Sequence, residues 1–181
     1  MVLGDNWSVM TRKLTRDQPG NDSTRQLTQT PVCLVNAQIN SMHIRTFRFP
    51  DDYAAVHDLW QNAGPGIHVR RSDEPQEIYK KIQRDPDLFL VAEEDHRIIG
   101  TVVGGYDGRR GMVYHLAISA SYRRRGTGSS LMEALEKRLQ EKGCTRYYLL
   151  VTRDNTNAMQ FYESHGWQRM DDLHVYSKDL V

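Results

Sequence analysis

The chain of 181 residues has little of several features that mark particular classes of protein. Cysteine occurs only at Cys33 and Cys144, without the spacing of zinc ligands, which favours a reducing compartment and indicates no metal site. No apolar run approaches the roughly 18 residues needed to cross a bilayer. No apolar segment follows the N-terminal charges, so no secretory signal is visible. We therefore expect a cytoplasmic protein that neither binds a metal nor enters a membrane.

An excess of charge of one sign is also missing. The 24 Lys and Arg residues are balanced by 23 Asp and Glu residues, which leaves a formal net charge of +1. Without a global positive field or an extended basic face, we expect no nucleic-acid partner. Any role of the arginines is therefore local. The length suits one domain of ordinary size.

The first part of the chain differs in composition from the rest. Residues 1–41 are rich in Asn, Gln, Thr, Ser and Asp, and their isolated apolar residues follow no sustained period. Such a stretch buries too little apolar area to offset the entropy lost on ordering. We predict a flexible polar extension over 1–41 and a domain over 42–181. Met42 would mark the start of the domain and is a candidate for the natural initiator.

Apolar periodicity predicts alternating strands and helices over the rest of the chain. The predicted strands cover residues 43–48, 88–92, 98–106, 112–118 and 147–151, and a final strand pair covers 167–169 and 173–180. The predicted helices follow Asp51 or Asp52, begin near Asp73, and cover 128–141 and 157–164. The second helix would turn Ile78, Tyr79 and Ile82 inward. Gly104-Gly105 suggests a bulge or a close approach of backbone within the sheet.

A basic, glycine-containing turn stands between an apolar strand and a helix-period run. It reads Arg123-Arg124-Arg125-Gly126-Thr127-Gly128. Glycines let the backbone approach an anion, the free N–H groups of the following helix point at it, and arginines add charged donors. No Lys-Ser/Thr follows the second glycine and no third glycine follows at the required spacing, so this is neither a P-loop nor a dinucleotide fingerprint. The turn is predicted to hold a phosphate.

Two separated motifs resemble one known family. Arg123-x-x-Gly126-x-Gly128 is similar to the pyrophosphate loop of the GNAT superfamily of N-acetyltransferases. One strand later, the run from Asn155 to Trp167 resembles the family signature Asn-x-x-Ala-x-x-x-Tyr-x-x-x-Gly-Phe, with Trp167 in the usual Phe place. Segments 88–93 and 104–108 further resemble a YpeA-like branch of bacterial acetyltransferases. The resemblance covers roughly residues 42–180.

This resemblance implies a GNAT-type α/β fold, which is a mixed, mostly antiparallel sheet flanked by helices. Strands 113–118 and 147–151 would splay apart, and acetyl-CoA would enter the gap as the cosubstrate. The residues expected to bind it are Leu116, Ala117 and Ile118 along the strand, Arg123, Arg124, Arg125, Gly126, Thr127, Gly128 and Ser129 at the pyrophosphate, and Asn155 at the cofactor arm.

The family also implies direct attack of a primary amine on the thioester, without an acyl-enzyme. Tyr162 stands where the family tyrosine protonates the departing thiolate, and a phenol stays protonated at neutral pH. A backbone N–H of Leu116 or Ala117 would polarise the thioester carbonyl. The acceptor, a small molecule or a peptide, is not identified by the sequence.

The general base is open at this stage. Some related enzymes place a glutamate on the strand before the Asn, where this chain has Leu150. The candidates are His115, whose imidazole can accept a proton near neutral pH, then Glu93, Glu94, Tyr106, Tyr114 and ordered water. The rival interpretation is a non-catalytic acyl-CoA sensor that engages a partner through residues 1–41. A homodimer is compatible with the resemblance, since relatives often dimerise.

Overall fold

The computed structural model describes residues 41–64 and 66–180, which form a five-stranded sheet with helices on both faces. The elements in chain order are β1 (His43–Thr46), α1 (Tyr53–Gln61), α2 (Pro75–Arg84), β2 (Phe89–Glu94), β3 (Arg97–Tyr106), β4 (Gly111–Ile118), α3 (Thr127–Glu141), β5 (Tyr147–Leu149) and α4 (Thr156–Ser164). Short 3₁₀ turns cover Arg71–Asp73 and Ala120–Tyr122. The extension predicted over 1–41 lies outside the described residues apart from Ser41.

The strands lie in the sheet in the order in which they occur in the chain, β1-β2-β3-β4-β5. The first three pairings are antiparallel and the last, between β4 and β5, is parallel. A parallel pair needs a crossover, and α3 supplies it. The predicted fold class is therefore confirmed, including its strand–helix–strand unit.

The sheet has one hydrophobic core on each face, and β2 contributes to both. Phe89 and Val91 pack with Trp60 on the face covered by α1 and α2, whereas Leu90 and Ala92 pack on the face covered by α3. This alternation follows from the two-residue period of a strand. Because β2 is buried on both sides, its sequence is continuously apolar from Leu88 to Ala92.

Asp52 precedes α1, as predicted, but does not cap it with its side chain. Its carboxylate instead accepts hydrogen bonds from the Arg48 N–H at 2.7 Å and from the Arg45 guanidinium at 2.6 and 2.9 Å. Arg45 also donates to Glu93 at 2.7 Å. The ion pairs thus connect the start of α1 to β1 and β2.

A bulge interrupts the pairing of β3 with β4, where Gly104-Gly105 predicts one. Val102 pairs with Leu116 and Gly104 with Val113, so a step of two residues on β3 faces a step of three on β4. The backbone of Gly104 also lies close to the Leu135 side chain, because a Cβ added to Gly104 would lie 2.5 Å from Leu135 Cδ1. Helix α3 can therefore pack directly on the backbone of β3.

The predicted C-terminal strand pair is wrong for this structure. Residues 167–180 form no regular strand, and Leu173, Val175 and Tyr176 are 57%, 70% and 89% exposed. A strand needs a partner edge, and β5, predicted to reach Val151, ends at Leu149. A cavity of about 1140 Å³ is lined by residues of β5, α4 and the C-terminal segment.

The second helix also differs from its predicted inner face. Ile78 is buried and Ile82 partly buried, as predicted, but Tyr79 is 50% exposed. The Tyr79 ring contacts Phe49 with a centroid distance of 5.7 Å. Phe49 is itself at the border of the core, so the aromatic pair lies at the rim.

Candidate active site

The parallel strands β4 and β5 separate after a short pairing. Their register runs from Gly111–Tyr147 to Val113–Leu149 and ends there, while β4 continues to Ile118. Leu150, next along the chain after β5, is 62% exposed. The edge of β4 that faces β5 therefore offers backbone donors and acceptors from Tyr114 onwards, which is where an extended ligand could pair.

The bulge in β4 changes which side chains share a face. Tyr114 lies over Gly105, on the side of the sheet opposite Leu135, and His115 contacts Trp60 of α1 on that same side. Two consecutive side chains of a regular strand would point to opposite faces. The extra residue thus brings Tyr114 and His115 together on the α1 side, beside the separated strands.

The turn between β4 and α3 has the geometry of an anion site. Arg124 has φ +60° and Gly126, the residue before the helix, has φ +83°. The first helical bond runs from the Ser130 N–H to the Gly126 carbonyl at 3.0 Å, so the N–H groups of Thr127, Gly128 and Ser129 precede the helical ladder. These groups lie at the positive end of α3 and can hold a diphosphate.

The three arginines of this turn have different surroundings. Arg123 donates from Nε to the Ile118 carbonyl at 3.1 Å and from Nη2 to the Ala63 carbonyl at 2.7 Å. The Arg125 guanidinium lies 5.1 Å from the centre of the Tyr122 ring, and Arg124 is exposed. All three arginines are exposed, and Arg123 additionally connects the turn to the end of β4 and to the region after α1 through its two hydrogen bonds.

Asn155 begins α4 and caps it. Its Oδ1 accepts from the Ala158 N–H at 3.1 Å, which selects Asn155 among the possible caps in the sequence. A Cβ on Gly66, which has φ +99°, would lie 2.2 Å from Asn155 Nδ2. The segment after α1 therefore touches the start of α4, beside the separated strands.

The end of α4 and the start of α3 are also joined. Ser129 Oγ lies 2.7 Å from His165 Nε2, and a Cβ on Gly128 would touch the Phe161 ring at 3.5 Å. His165 Nδ1 lies 2.7 Å from the Phe161 carbonyl oxygen. Because a carbonyl oxygen only accepts, Nδ1 is the nitrogen that carries the proton in the neutral ring. His165 Nε2 then accepts from Ser129, so the second motif supports the turn that the first motif forms.

Tyr162 lies on α4 and packs against the core that α3 covers. Its ring contacts Phe161 and Trp167 at centroid distances of 5.2 and 5.5 Å, and it lines the cavity beside β5. Burial raises the pKa of Tyr162 to about 12. A phenol with that pKa is fully protonated at neutral pH and can serve as a proton donor.

Tyr114 shares the α1 side with His115, but the other side-chain candidates for a base, Glu93, Glu94 and Tyr106, are placed differently. Glu93 lies on β2, two strands away from β4 in the sheet, and accepts a hydrogen bond from Arg45 of β1. Glu94 lies beside the β2–β3 turn. Tyr106 ends β3, where its carbonyl receives Arg84 Nη2 at 3.4 Å. By contrast, Nε2 of His115 lies 3.0 Å from Oδ1 of the Asp73 carboxylate.

Sequence patterns missed Asp73 as a partner of His115. Its place just before Pro75 indicated a helix start, and a 3₁₀ turn with Asp73 at its end is found there. Nothing in the spacing points to a residue 42 positions further on. The contact arises because α2 packs across the sheet.

Within residues 41–64 and 66–180, no helix has the length and hydropathy of a membrane span. No group of His, Cys, Asp and Glu side chains in those residues is arranged to hold a metal ion.

The fold and site define a class of proteins with a mixed sheet, a separated parallel pair and an anion-binding helix start. The chain matches the model of the Acetyltransferase (GNAT) family over residues 53–167. A protein named acetyltransferase from Sodalis glossinidius is 38% identical over 141 residues, which are 77% of this chain and 96% of that protein. The chain therefore belongs to the GNAT acetyltransferase family.

Solved structures agree with this assignment. Ard1 from Thermoplasma volcanium is similar with a TM-score of 0.61 and 26% identity, over 69% of this chain and 81% of that one. The PaiA N-acetyltransferase from Thermoplasma acidophilum, solved with coenzyme A, has a TM-score of 0.64 and 21% identity, over 72% and 92% of the two chains. This chain is thus an N-acetyltransferase with acetyl-CoA as cosubstrate. The narrower resemblance to a YpeA-like branch stays a prediction.

Proposed function

We propose that this enzyme transfers the acetyl group of acetyl-CoA directly to a primary amine of a small molecule or peptide. The observation that carries the proposal is the continuous path from the unpaired edge of β4 to the start of α3. Pairing with β5 ends at Val113, and the strand runs on to Ile118 and into the turn with left-handed Arg124 and Gly126. A pantetheine arm and a pyrophosphate need these two features in this order.

In this proposal the backbone of Leu116, Ala117 and Ile118 pairs with the pantetheine arm. The N–H groups from Arg124 to Ser129 bind the pyrophosphate, with Arg124 and Arg125 contributing charge. The Asn155 side chain, which caps α4, would also reach the cofactor arm. Arg123 contributes by holding the turn closed on Ile118 and Ala63.

The chemical step needs three groups. The amine nitrogen attacks the thioester carbon, and the N–H of Leu116 or Ala117 stabilises the developing oxyanion. As the C–S bond breaks, the Tyr162 phenol gives its proton to the thiolate, and the nitrogen gives up its own proton to a base or to ordered water. Solvent then restores the phenol proton. Burial raises the pKa of Tyr162 to about 12, so the phenol is protonated before the step and has a proton to give.

The acceptor would enter from the α1 side of the sheet, where the bulge directs Tyr114 and His115. In this proposal the segments 66–71 and 106–111 would shape the acceptor pocket, and together they carry charges of both signs. We further propose a cytoplasmic enzyme that acts without nucleic acid or membrane partners and that can form a homodimer.

A screen of acceptors tests the proposal. The purified full-length chain is mixed with acetyl-CoA and a panel of amines, amino acids and peptides, and the release of free thiol is followed. Enzyme-dependent thiol release with an acetylated amine as product supports the transferase. Saturable CoA binding with no thiol release across the panel would instead support the rival acyl-CoA sensor.

Substitution of Gly126 tests the pyrophosphate turn. Gly126→Asp should abolish CoA binding in calorimetry, because it places a carboxylate where the diphosphate binds. Gly126→Asn is the matched control: it has the same size, meets the same positive φ and lacks the charge. Nothing lies within 4 Å of a Cβ at this position, so neither side chain clashes. Equal CoA affinity in the two variants would contradict the assignment of the turn.

A further inference from the structure

The imidazole of His115 and the carboxylate of Asp73 form an ion-pair contact beside the proposed acceptor side. Nε2 lies 3.0 Å from Oδ1 of Asp73, and the two side chains are 19% and 9% exposed. The other carboxylate oxygen, Oδ2, accepts from the Arg70 N–H at 2.8 Å. The carboxylate is therefore held in one orientation by the turn that precedes α2.

The surroundings also fix the ring of His115. The buried Trp60 packs against it with a centroid distance of 4.8 Å and an interplanar angle of 56°. On the other side of the contact, the Tyr53 hydroxyl donates to the Asp73 carbonyl at 3.0 Å. The turn, α1 and β4 are thus joined at a single point, and the ring has little freedom to turn.

The contact determines which ring nitrogen carries the lone pair. A carboxylate accepts only, so Nε2 carries the proton, and Nδ1 of the neutral ring is the basic nitrogen. His115 directly precedes Leu116 and Ala117 in β4, whose N–H groups are the proposed carbonyl donors. A base in this position would act on the amine that attacks the carbonyl.

We propose that Asp73 positions His115 as the general base of acetyl transfer. This inference rests on the proposed function and deepens it. Nδ1 of His115 takes one proton from the ammonium nitrogen, and the lone pair released forms the N–C bond. The C–S electron pair leaves with the thiolate, which takes the Tyr162 proton, and the nitrogen gives its second proton to solvent. The imidazolium that results donates through Nε2–H to the Asp73 carboxylate, which stabilises its charge. His115 is the catalytic residue and Asp73 the positioning residue.

Two probe amines separate a base from a binding or structural role. Ethylamine is protonated at neutral pH and must lose a proton before it has a lone pair, whereas hydroxylamine is largely unprotonated. His115→Gln should lower kcat/KM for ethylamine by about 10²–10⁴-fold, the usual contribution of a general base. Hydroxylamine acetylation should fall much less. Equal losses for both amines would overturn the assignment of a base.

Asp73→Asn tests the positioning residue. The amide oxygen can still accept from the Arg70 N–H, but the amide nitrogen then donates to Nε2 and forces the proton to Nδ1. We expect the same selective loss for ethylamine, and ¹⁵N NMR of the His115 ring should report the change of tautomer. Wild-type rates in Asp73→Asn, or an unchanged tautomer, would overturn the role of Asp73.

Asp85→Asn is the matched control. Asp85 is a similarly buried carboxylate at the other end of α2, paired with Lys81 and remote from His115. It should lower the melting temperature without changing the ratio of the two amine rates. Melting temperature and CoA affinity are measured for every variant, so that loss of folding is recognised. If the wild type releases no thiol with either amine or with the wider panel, the proposed function is wrong. The proposed roles of His115 and Asp73 are then wrong as well. If only the roles of His115 and Asp73 are wrong, the variants keep full activity or lose activity equally with the two amines, while the wild type remains active.

Discussion

At the scale of single residues, the environment of Tyr162 decides what the phenol can do. The sequence motif marked this tyrosine, but a protonated phenol is useful only if its pKa stays above the working pH. Burial against the core covered by α3 raises the pKa to about 12. The group therefore remains a donor throughout the physiological range.

Tyr162→Phe should lower kcat by about 10²–10⁴-fold, since it deletes the proposed proton donor and leaves the ring packing intact. CoA affinity should change little, because the hydroxyl acts on the thiolate that forms in the reaction. Steady-state kinetics and calorimetry measure the two quantities.

Tyr147→Phe serves as the control for loss of a buried phenol. Burial raises the pKa of Tyr147, as does its hydrogen bond to Glu136. This variant should lose stability but keep turnover. Parallel losses of kcat and CoA affinity in Tyr162→Phe would argue for a binding role of Tyr162.

At the scale of elements, the contact between β3 and α3 depends on a missing side chain. Gly104 lets Leu135, which is fully buried, lie against the strand backbone. The neighbouring Gly105 faces the opposite side, where Tyr114 is 58% exposed and free to move. The same chemical change therefore has different costs at adjacent positions.

Gly104→Ala should lower the free energy of unfolding by about 1–3 kcal/mol, because Leu135 cannot move away within a packed core. Gly105→Ala should change it by less than about 0.5 kcal/mol, since the exposed Tyr114 ring can shift. Urea unfolding of both variants gives the comparison. A larger loss for Gly105→Ala would contradict the packing described for the two faces.

At the scale of the whole molecule, a network of ion pairs joins β1, β2 and the start of α1. Burial raises the pKa of Asp52, but hydrogen bonds from Arg45 and the Arg48 N–H outweigh this, so the net pKa lies below its ordinary value. A depressed pKa contributes stability that is present above the unfolded value, about 3.8, and is lost as the pH falls through the folded value.

Asp52→Asn should therefore destabilise the protein by roughly 3 kcal/mol at pH 7, as expected when one partner of a buried ion pair is removed. The difference from the wild type should shrink as the pH falls below about 3.8 and through the lower pKa of the folded carboxylate. Thermal unfolding across this pH range measures the effect. A difference that stays constant with pH would contradict the ion-pair explanation.

The amount that could be predicted from sequence follows how local each feature is. β2, α3 and α4 were predicted within a few residues, because apolar periods and caps are local signals. The strand pair over 167–180 was not found, since a strand depends on an edge elsewhere in the chain. Tyr79 was misplaced for a related reason: its burial depends on what packs over α2.

The sequence alone determined the family and predicted the cofactor turn, because Gly126, Gly128 and the run from Asn155 to Trp167 are short-range patterns with a direct chemical meaning. Only the tertiary structure decided where β4 and β5 separate and which carboxylate meets His115. Those features depend on residues far apart in the chain that meet when α1 and α2 pack on the sheet. Local spacing contains no information about such distances, whereas the packing of the sheet and its helices sets them.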